Sequence, residues 1–312
     1  MEFKIGVLGP LNIDLIIKGS APGNINELNS WSGSSDIQIL TAGAAGYISQ
    51  DLKQLGNEVH LVSSISDDSF GKMILQNLEN YGIKTKYILE ERGKECGIAI
   101  FILLFGNDKR PLTFKLPTHD GWPQKFRKKE EKFLLKTDLL HSAGYFHFPK
   151  LWNDNFLALL KKAKSKGIKV SMDPQFPLTT LTPPWITILK PLIPYIDILM
   201  VDQYEALNIT AKNSIEEAAK SLLEEGFKII AIKLGEKGVL VNGASVMKYI
   251  PAIQPKKFVD TIGAGDAFDA GFLHAILKGK DLIKAAESGI LTATNSIQNE
   301  GGIINLKKLV NT

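Results

Sequence analysis

The stretch DTIGAGDAFDAGFLHAIL, residues 260–277, sets two glycines around an alanine, follows them at once with a carboxylate, and runs on in apolar helical spacing. Gly263 and Gly265 can take backbone angles that other residues avoid, and Ala264 adds little bulk. The first N–H groups of a helix have no intrahelical acceptor and attract anions. Small residues at such a helix start can therefore form a nest of backbone amides around an anion. Asp266 then has two readings. It is either a capping side chain on a glycine-rich turn, or the base that takes a proton from a hydroxyl attacking a phosphoryl group held in the nest. Phosphoryl transfer depends mainly on such positioning and electrostatics.

Outward from this helix, short β-branched runs alternate with amphipathic stretches. The spacing predicts strands at 3–9, 58–65, 138–145, 168–173, 197–201 and 227–234, and a hairpin from GVLVNG (238–243) with SVMKYI (245–250). Helices are predicted at 45–56, 69–81 and 153–167, from 202, from 214, and as a long closing pair at 264–278 and 281–297. Strands alternating with helices imply an α/β fold, a mostly parallel central sheet flanked by helices on both faces. Two insertions break this rhythm. Residues 11–42 and 96–118 each hold two strand-like runs with turn chemistry between them and read as antiparallel pairs. Either the pairs combine into a small β-sheet lid, or one of them is a surface elaboration. The whole of 1–312 reads as one domain carrying that lid.

Composition narrows the classes of function. The 312 residues are 44% hydrophobic and 22% charged, which suits a globular chain with a sizeable core. A formal charge of +4 is too small at this length to argue for nucleic acid or a membrane surface as partner. The densest basic stretch, KFRKKEEK (125–132), mixes both signs and reads as a solvated helix face. Cys96 stands alone, which excludes an intramolecular disulfide and fits a reducing compartment; its neighbours suggest a strand thiol. MEFKIGVLGP enters a strand-like run with no signal-peptide organisation, and the most apolar window, 186–201, is broken by Lys190, two prolines and Asp197. A cytoplasmic protein is expected. There is no G-x-x-x-x-G-K-[ST], no G-x-G-x-x-G after the first strand and no G-x-S-x-G elbow. The five histidines lack H-x-x-x-H spacing, and the aromatics lack basic interleaving, so zinc and RNA readings lose support too.

DTIGAGDAFDAGFL resembles the C-terminal signature of the ribokinase-like (PfkB) carbohydrate kinases, and further stretches keep that family's order. These are GPLNIDLI (9–16), AGAAGYISQDLKQLG (42–56), SISDDSFGKMILQNLENYGI (64–83), SMDPQF (171–176), VDQYEAL (201–207) and IKLGEKGVLV (232–241). The resemblance implies a ribokinase-like fold and transfer of a phosphoryl group from ATP, with Mg2+, to a hydroxyl of a small sugar or sugar derivative. It implies Asp266 as the base and the backbone of Gly263, Ala264 and Gly265 as the anion hole. Asn12 and Asp14 are expected to hold substrate hydroxyls, since a carboxylate can accept from two vicinal O–H groups. Gly43 and Gly46 are expected beside the substrate, with Arg110 reaching it from a lid strand. Lys233, Gly235, Gly238 and Asn295 are expected along the nucleotide. Glu205, with Asp202 three residues before it, is expected to hold a hydrated magnesium ion through water.

The sequence also departs from the family. Ala42 replaces a glycine, Gly46 stands where many sugar kinases carry asparagine, and Lys233 replaces the usual threonine. Gln175 stands where Asp-Pro-Asn is common, with no arginine soon after. These changes leave the acceptor open between a sugar, a sugar acid and a nucleoside, with a catalytically silent ligand-binding homologue as the rival of another class. Monovalent-cation dependence is left open as well, and a homodimer through the lid edge is compatible with the strand pattern.

Overall fold

The computed structural model describes residues 2–19, 24–30, 35–103, 113–115, 126–178, 180–243 and 246–304. The run KIGVL forms β1 (Lys4–Leu8), buried from Ile5 onward. Its alternation divides the molecule. Ile5 and Val7 enter one core and Leu8 the other, as successive strand side chains must. In chain order there follow β2 (Asn12–Gly19), β3 (Ser35–Ala42), α1 (Ala44–Gln54), β4 (Glu58–Ser66), α2 (Ser69–Asn80), β5 (Ile88–Glu91), β6 (Ile98–Ile102) and β7 (Thr113–Lys115). The middle of the chain gives α3 (Lys128–Leu134), β8 (Leu139–Ala143), α4 (Asp154–Ser165), β9 (Lys169–Asp173), α5 (Ile186–Leu189), β10 (Ile198–Asp202), α6 (Gln203–Thr210) and α7 (Ile215–Glu224). It closes with β11 (Ile229–Lys233), β12 (Val239–Gly243), β13 (Val246–Ile250), α8 (Ala264–Leu277) and α9 (Leu282–Ser296).

The large sheet is nine-stranded, in the order β13-β12-β11-β10-β9-β8-β1-β4-β5. All its pairs from β11 across to β5 are parallel, and the β12–β13 hairpin adds an antiparallel edge. Helices cover both faces, as a parallel sheet requires. One layer brings Leu134, Phe156, Leu189, Ile209 and Leu222, from α3 through α7, into the first core. The other brings Ile48, Ile74, Phe272 and Ile290, from α1, α2, α8 and α9. Each such side chain contributes about 1.5–3 kcal/mol by leaving water.

Helix α8 is buried continuously from Ala267 to Ala275, so it has no solvent stripe. Its packing on α9 needs Gly271, because a Cβ there would lie 2.1 Å from Thr292 Oγ1. That close approach fixes the helix whose first turn carries GAGD.

The two insertions do combine. They form a second sheet in the order β3-β2-β6-β7, in which β2 and β6 run parallel and the outer pairs antiparallel. Its inner face packs Ile16, Ala42, Ala99 and Phe101 against Tyr47 of α1 and Ile262 of the loop before α8. Its β3 edge exposes Ile37 and Ile39. Two local readings change. Cys96 lies in the loop just before β6, not within a strand, and β5 is an additional edge strand. Among the described residues no helix is long and apolar enough to cross a membrane.

Candidate active site

The parallel strands end on chemistry. Asp173 closes β9, Asp202 closes β10 and Lys233 closes β11, with Asp202 and Lys233 directly paired in register. The strand order reverses between β1 and β8, and the carboxyl edge beside such a reversal is where open α/β sheets bind ligands.

Lys233 links this edge to α8. Its Nζ is 2.6 Å from Asp173 Oδ2 and 3.1 Å from Asp269 Oδ1, and the lysine side chain is only 14% exposed. Burial opposes its charge, but Asp173, Asp269 and Glu205 overcome that and hold the ammonium well above the usual lysine value. The cation is shared unequally. For Asp173 burial is outweighed by Lys233 at the shorter distance together with a hydrogen bond from Asp269, and its carboxyl falls below the ordinary range. For Asp269 burial wins over Lys233, and its carboxyl is raised. His141 lies beneath, fully buried with Nδ1 2.9 Å from Ser171 Oγ; burial pushes it down to about 4, so it is neutral. It is a core residue.

Asp266 stands in the first turn of α8. Gly263, at φ 72, is the residue before the helix, and a Cβ there would press on the Tyr47 ring at 3.1 Å and the Gly302 carbonyl oxygen at 3.2 Å. Ala264 N–H donates to the Thr261 carbonyl at 3.2 Å. Gly265 is exposed, and a Cβ added there would find Lys233 Nζ at 3.6 Å. Asp266 itself keeps an open side, although protein encloses it elsewhere. Burial raises its carboxyl well above the usual range, Asp173 and Asp14 add to this, and Lys233 opposes it. Its Oδ1 accepts a hydrogen bond from Gln175 Nε2 at 3.1 Å.

Asn12 and Asp14 open β2, where the chain leaves the large sheet for the small one. Asn12 Nδ2 donates to Asp14 Oδ1 at 2.8 Å, and the Tyr47 hydroxyl donates to Asp14 Oδ2 at 2.7 Å. Burial, resisted by these two bonds, pushes Asp14 up to about 6. Gly43, at φ 83, starts α1; a Cβ there would sit 2.5 Å from the Pro10 carbonyl oxygen and 2.7 Å from Asn12 Oδ1. Gly46 is buried against Leu11 one turn on. The small sheet is also tied to the loop before α8. Lys18 Nζ lies 2.6 Å from Asp260 Oδ2, and Asp260 Oδ1 accepts from Ile262 N–H at 3.1 Å.

Glu205 and Asp202 form a reciprocal capping box on α6, each carboxylate accepting the other's backbone N–H at 2.7 Å. Glu205 is buried, not solvated, and burial, then Asp173 and Asp202, raises its carboxyl well above the usual range. Among the described residues no three His, Cys, Asp or Glu side chains are grouped to hold a metal directly. This donor set fits a hydrated magnesium ion, which takes one or two carboxylates and substrate phosphates and keeps several waters. Gly235 and Gly238, at φ 62 and 101, make the turn from β11 to β12; a Cβ on Gly238 would meet the Ile250 carbonyl oxygen at 2.0 Å. Asn295 is buried in α9, beside Asn299. Arg110 lies outside the described residues.

The sequence profile of the pfkB family carbohydrate kinases matches residues 4–309. This chain belongs to that family. It is 24% identical to an ATP-dependent 6-phosphofructokinase of Thermoanaerobacterium thermosaccharolyticum over 85% of this chain and 81% of that one. It is 28% identical to a cytidine kinase of Thermococcus kodakarensis over 84% and 89%. The fold is similar to that of Arabidopsis thaliana ribokinase, solved with ribose and ATP, at a TM-score of 0.78 and 20% identity over 100% and 98% of the two chains.

Within this pfkB-family kinase, three cleft residues join the site beyond those the sequence suggests. Tyr47 reaches Asp14 from one helix turn past Gly43 and also walls Gly263. Asp269 sits three residues after Asp266, and that spacing inside an apolar helix was the available signal. Asp173 was visible only as part of an Asp-Pro segment. Lys233, expected along the nucleotide, is held by Asp173 at the end of β9 and by Asp269 of α8.

Proposed function

We propose that this kinase transfers the γ-phosphoryl group of ATP to a hydroxyl of a small sugar or sugar derivative, with Asp266 as the general base. The observation that carries this is the placement of Asp266: a half-open carboxylate in the first turn of α8, next to the exposed Gly265 and in hydrogen-bond contact with Gln175. The acceptor hydroxyl gives its proton to the Asp266 carboxylate while its oxygen bonds to the γ-phosphorus. The bond from that phosphorus to the β–γ bridging oxygen breaks, and ADP leaves. The amides of Gly263, just before α8, and of Gly265 in its first turn face the charge that builds on the phosphoryl oxygens, where fixed dipoles are most effective. Asn12 and Asp14 orient the acceptor through its hydroxyls, and the small sheet above them excludes water. A magnesium ion, held through water near Glu205 and Asp202, would neutralise phosphate charge.

Asp266→Asn tests the assignment. It is expected to fold and to bind ATP while losing roughly 10²–10⁴-fold in turnover. Near-wild-type ADP formation by that variant would remove the base. A nucleoside acceptor is the second reading, favoured by the likeness to the cytidine kinase. Measuring ADP release with pentoses, hexoses, sugar acids and nucleosides separates the two. Ligand binding with no ADP from any acceptor would instead support a silent homologue.

A further inference from the structure

Gln175 adopts φ 56, and among the described residues only it and Ala211 are non-glycine residues in the left-handed region. Glycine or asparagine takes this conformation with less strain, and strained backbone persists where its surroundings enforce it. Here the enforcement is visible. Asp173 Oδ1 accepts the Gln175 N–H at 3.0 Å, closing a turn around Pro174, and the same carboxylate holds Lys233 through its other oxygen. Phe146 N–H donates to the Pro174 carbonyl at 3.0 Å, and Gly144 N–H to that of Asp173 at 2.7 Å. The turned-back side chain crosses the cleft to α8 and donates to Asp266 Oδ1. An asparagine would fit the backbone but is one methylene short of that reach.

The geometry points to Gln175 as a positioning residue that turns the Asp266 carboxylate toward the attacking hydroxyl and keeps it in the proton-accepting form; this rests on the reading of Asp266 as the base. An amide suits the task. It donates a hydrogen bond that favours the ionised carboxylate, yet it has no proton to give up to a base. The charged groups around Asp266 pull in both directions. Asp173 of β9 and Asp14 of β2 disfavour its ionisation and Lys233 of β11 favours it, while Asp269 of α8 itself and Asp51 of α1, both buried, are raised in turn by its charge, and the Tyr47 phenol of α1 stays neutral. With burial on the same side as those carboxylates, a neutral donor aimed at one oxygen of Asp266 shifts the balance toward the charged form. It also leaves the second oxygen for the acceptor.

Three variants separate this role from that of a turn residue. Gln175→Gly relieves the backbone and deletes the donor; Gln175→Asn keeps a residue that tolerates the turn but falls short; Gln175→Glu keeps the length and replaces the donor by a like charge. The glycine and asparagine variants are expected to unfold at the wild-type urea midpoint or above it. Their kcat should fall by about tenfold or more, with KM for ATP and for the acceptor held within about twofold. The acid limb of their kcat–pH profile should move to higher pH, and further still in Gln175→Glu. A glycine variant with kcat within about twofold of wild type and an unmoved acid limb would overturn the proposal, as would a loss carried by KM alone. If glycine loosens the turn, the asparagine variant carries the same test. Asp266→Asn assayed alongside keeps the two claims apart: its activity decides the base, and the Gln175 variants decide what positions it.

Discussion

Lys233→Met replaces the buried ammonium by an apolar side chain of similar length and leaves Asp173 and Asp269, which are 4% and 0% exposed, without their shared cation. Removing one partner of a buried ion pair costs about 3–5 kcal/mol, because the remaining charge has neither water nor a counter-ion. A chain of 312 residues gains roughly 0.65 kcal/mol/K of entropy on unfolding, so that cost lowers Tm by about 5–8 °C. The pH dependence carries a sign. In the wild type the Asp173 carboxyl is depressed, so its contribution is present above the unfolded pKa and lost as pH falls through the folded one. In the variant, burial and mutual repulsion raise both carboxyls, so stability is retained at low pH and lost as pH rises. The deficit should therefore be larger at about pH 8 than at about pH 5. Urea unfolding followed by tryptophan fluorescence at the two pH values measures it. A deficit below about 1 kcal/mol, or one equal at both pH values, would refute the account of Lys233 as the counter-ion of two buried carboxylates.

Asp14→Asn trades function for stability. The native carboxyl, pushed up to about 6, contributes stability below its unfolded value and loses it as pH rises through 6. The variant should therefore be up to about 3 kcal/mol more stable than wild type at about pH 8, with a smaller gain at about pH 5, while KM for the acceptor rises. Gly263→Ala and Gly265→Ala form a contrasting pair. The first meets Tyr47 and Gly302 at a left-handed φ and should lose about 1–2 kcal/mol in thermal unfolding. The second makes only an ordinary van der Waals contact, with Lys233 Nζ at 3.6 Å, and should leave stability within about 0.5 kcal/mol or raise it, while its methyl group, aimed toward Lys233, lowers kcat/KM for ATP.

Much of the fold was legible because its determinants are local. The alternation of β-branched runs with capped amphipathic helices marked most central strands and helices, and the strands at the middle of the large sheet are buried runs bounded by turn residues. β5 escaped because ILEE is a short, half-buried edge strand that buries too little to leave an apolar run. The pairing of the two insertions was visible only as an alternative. Each insertion announces its own antiparallel partner through the turn between its strands, but the parallel β2–β6 contact joins Ile13 to Ile98 across the intervening helices. Nothing local encodes that pairing.

The site divides along the same line. GAGD and the capping box of Asp202 and Glu205 are each confined to a few neighbouring residues, so residue type and spacing pointed to the first-turn carboxylate, and the family resemblance to the paired acids. The contacts that give those residues their electrostatics span the chain: Gln175 to Asp266 over 91 positions, Lys233 to Asp173 over 60, and Lys18 to Asp260 over 242. Lys233 bears the consequence most plainly. Read alone, a lysine in place of threonine suggests a cation aimed at phosphate. Set at the last residue of β11, within reach of the last residue of β9 and one turn of α8, the same ammonium meets two carboxylates, at 2.6 and 3.1 Å. Through those contacts it orders Asp173, and Asp173 in turn holds Gln175 against Asp266.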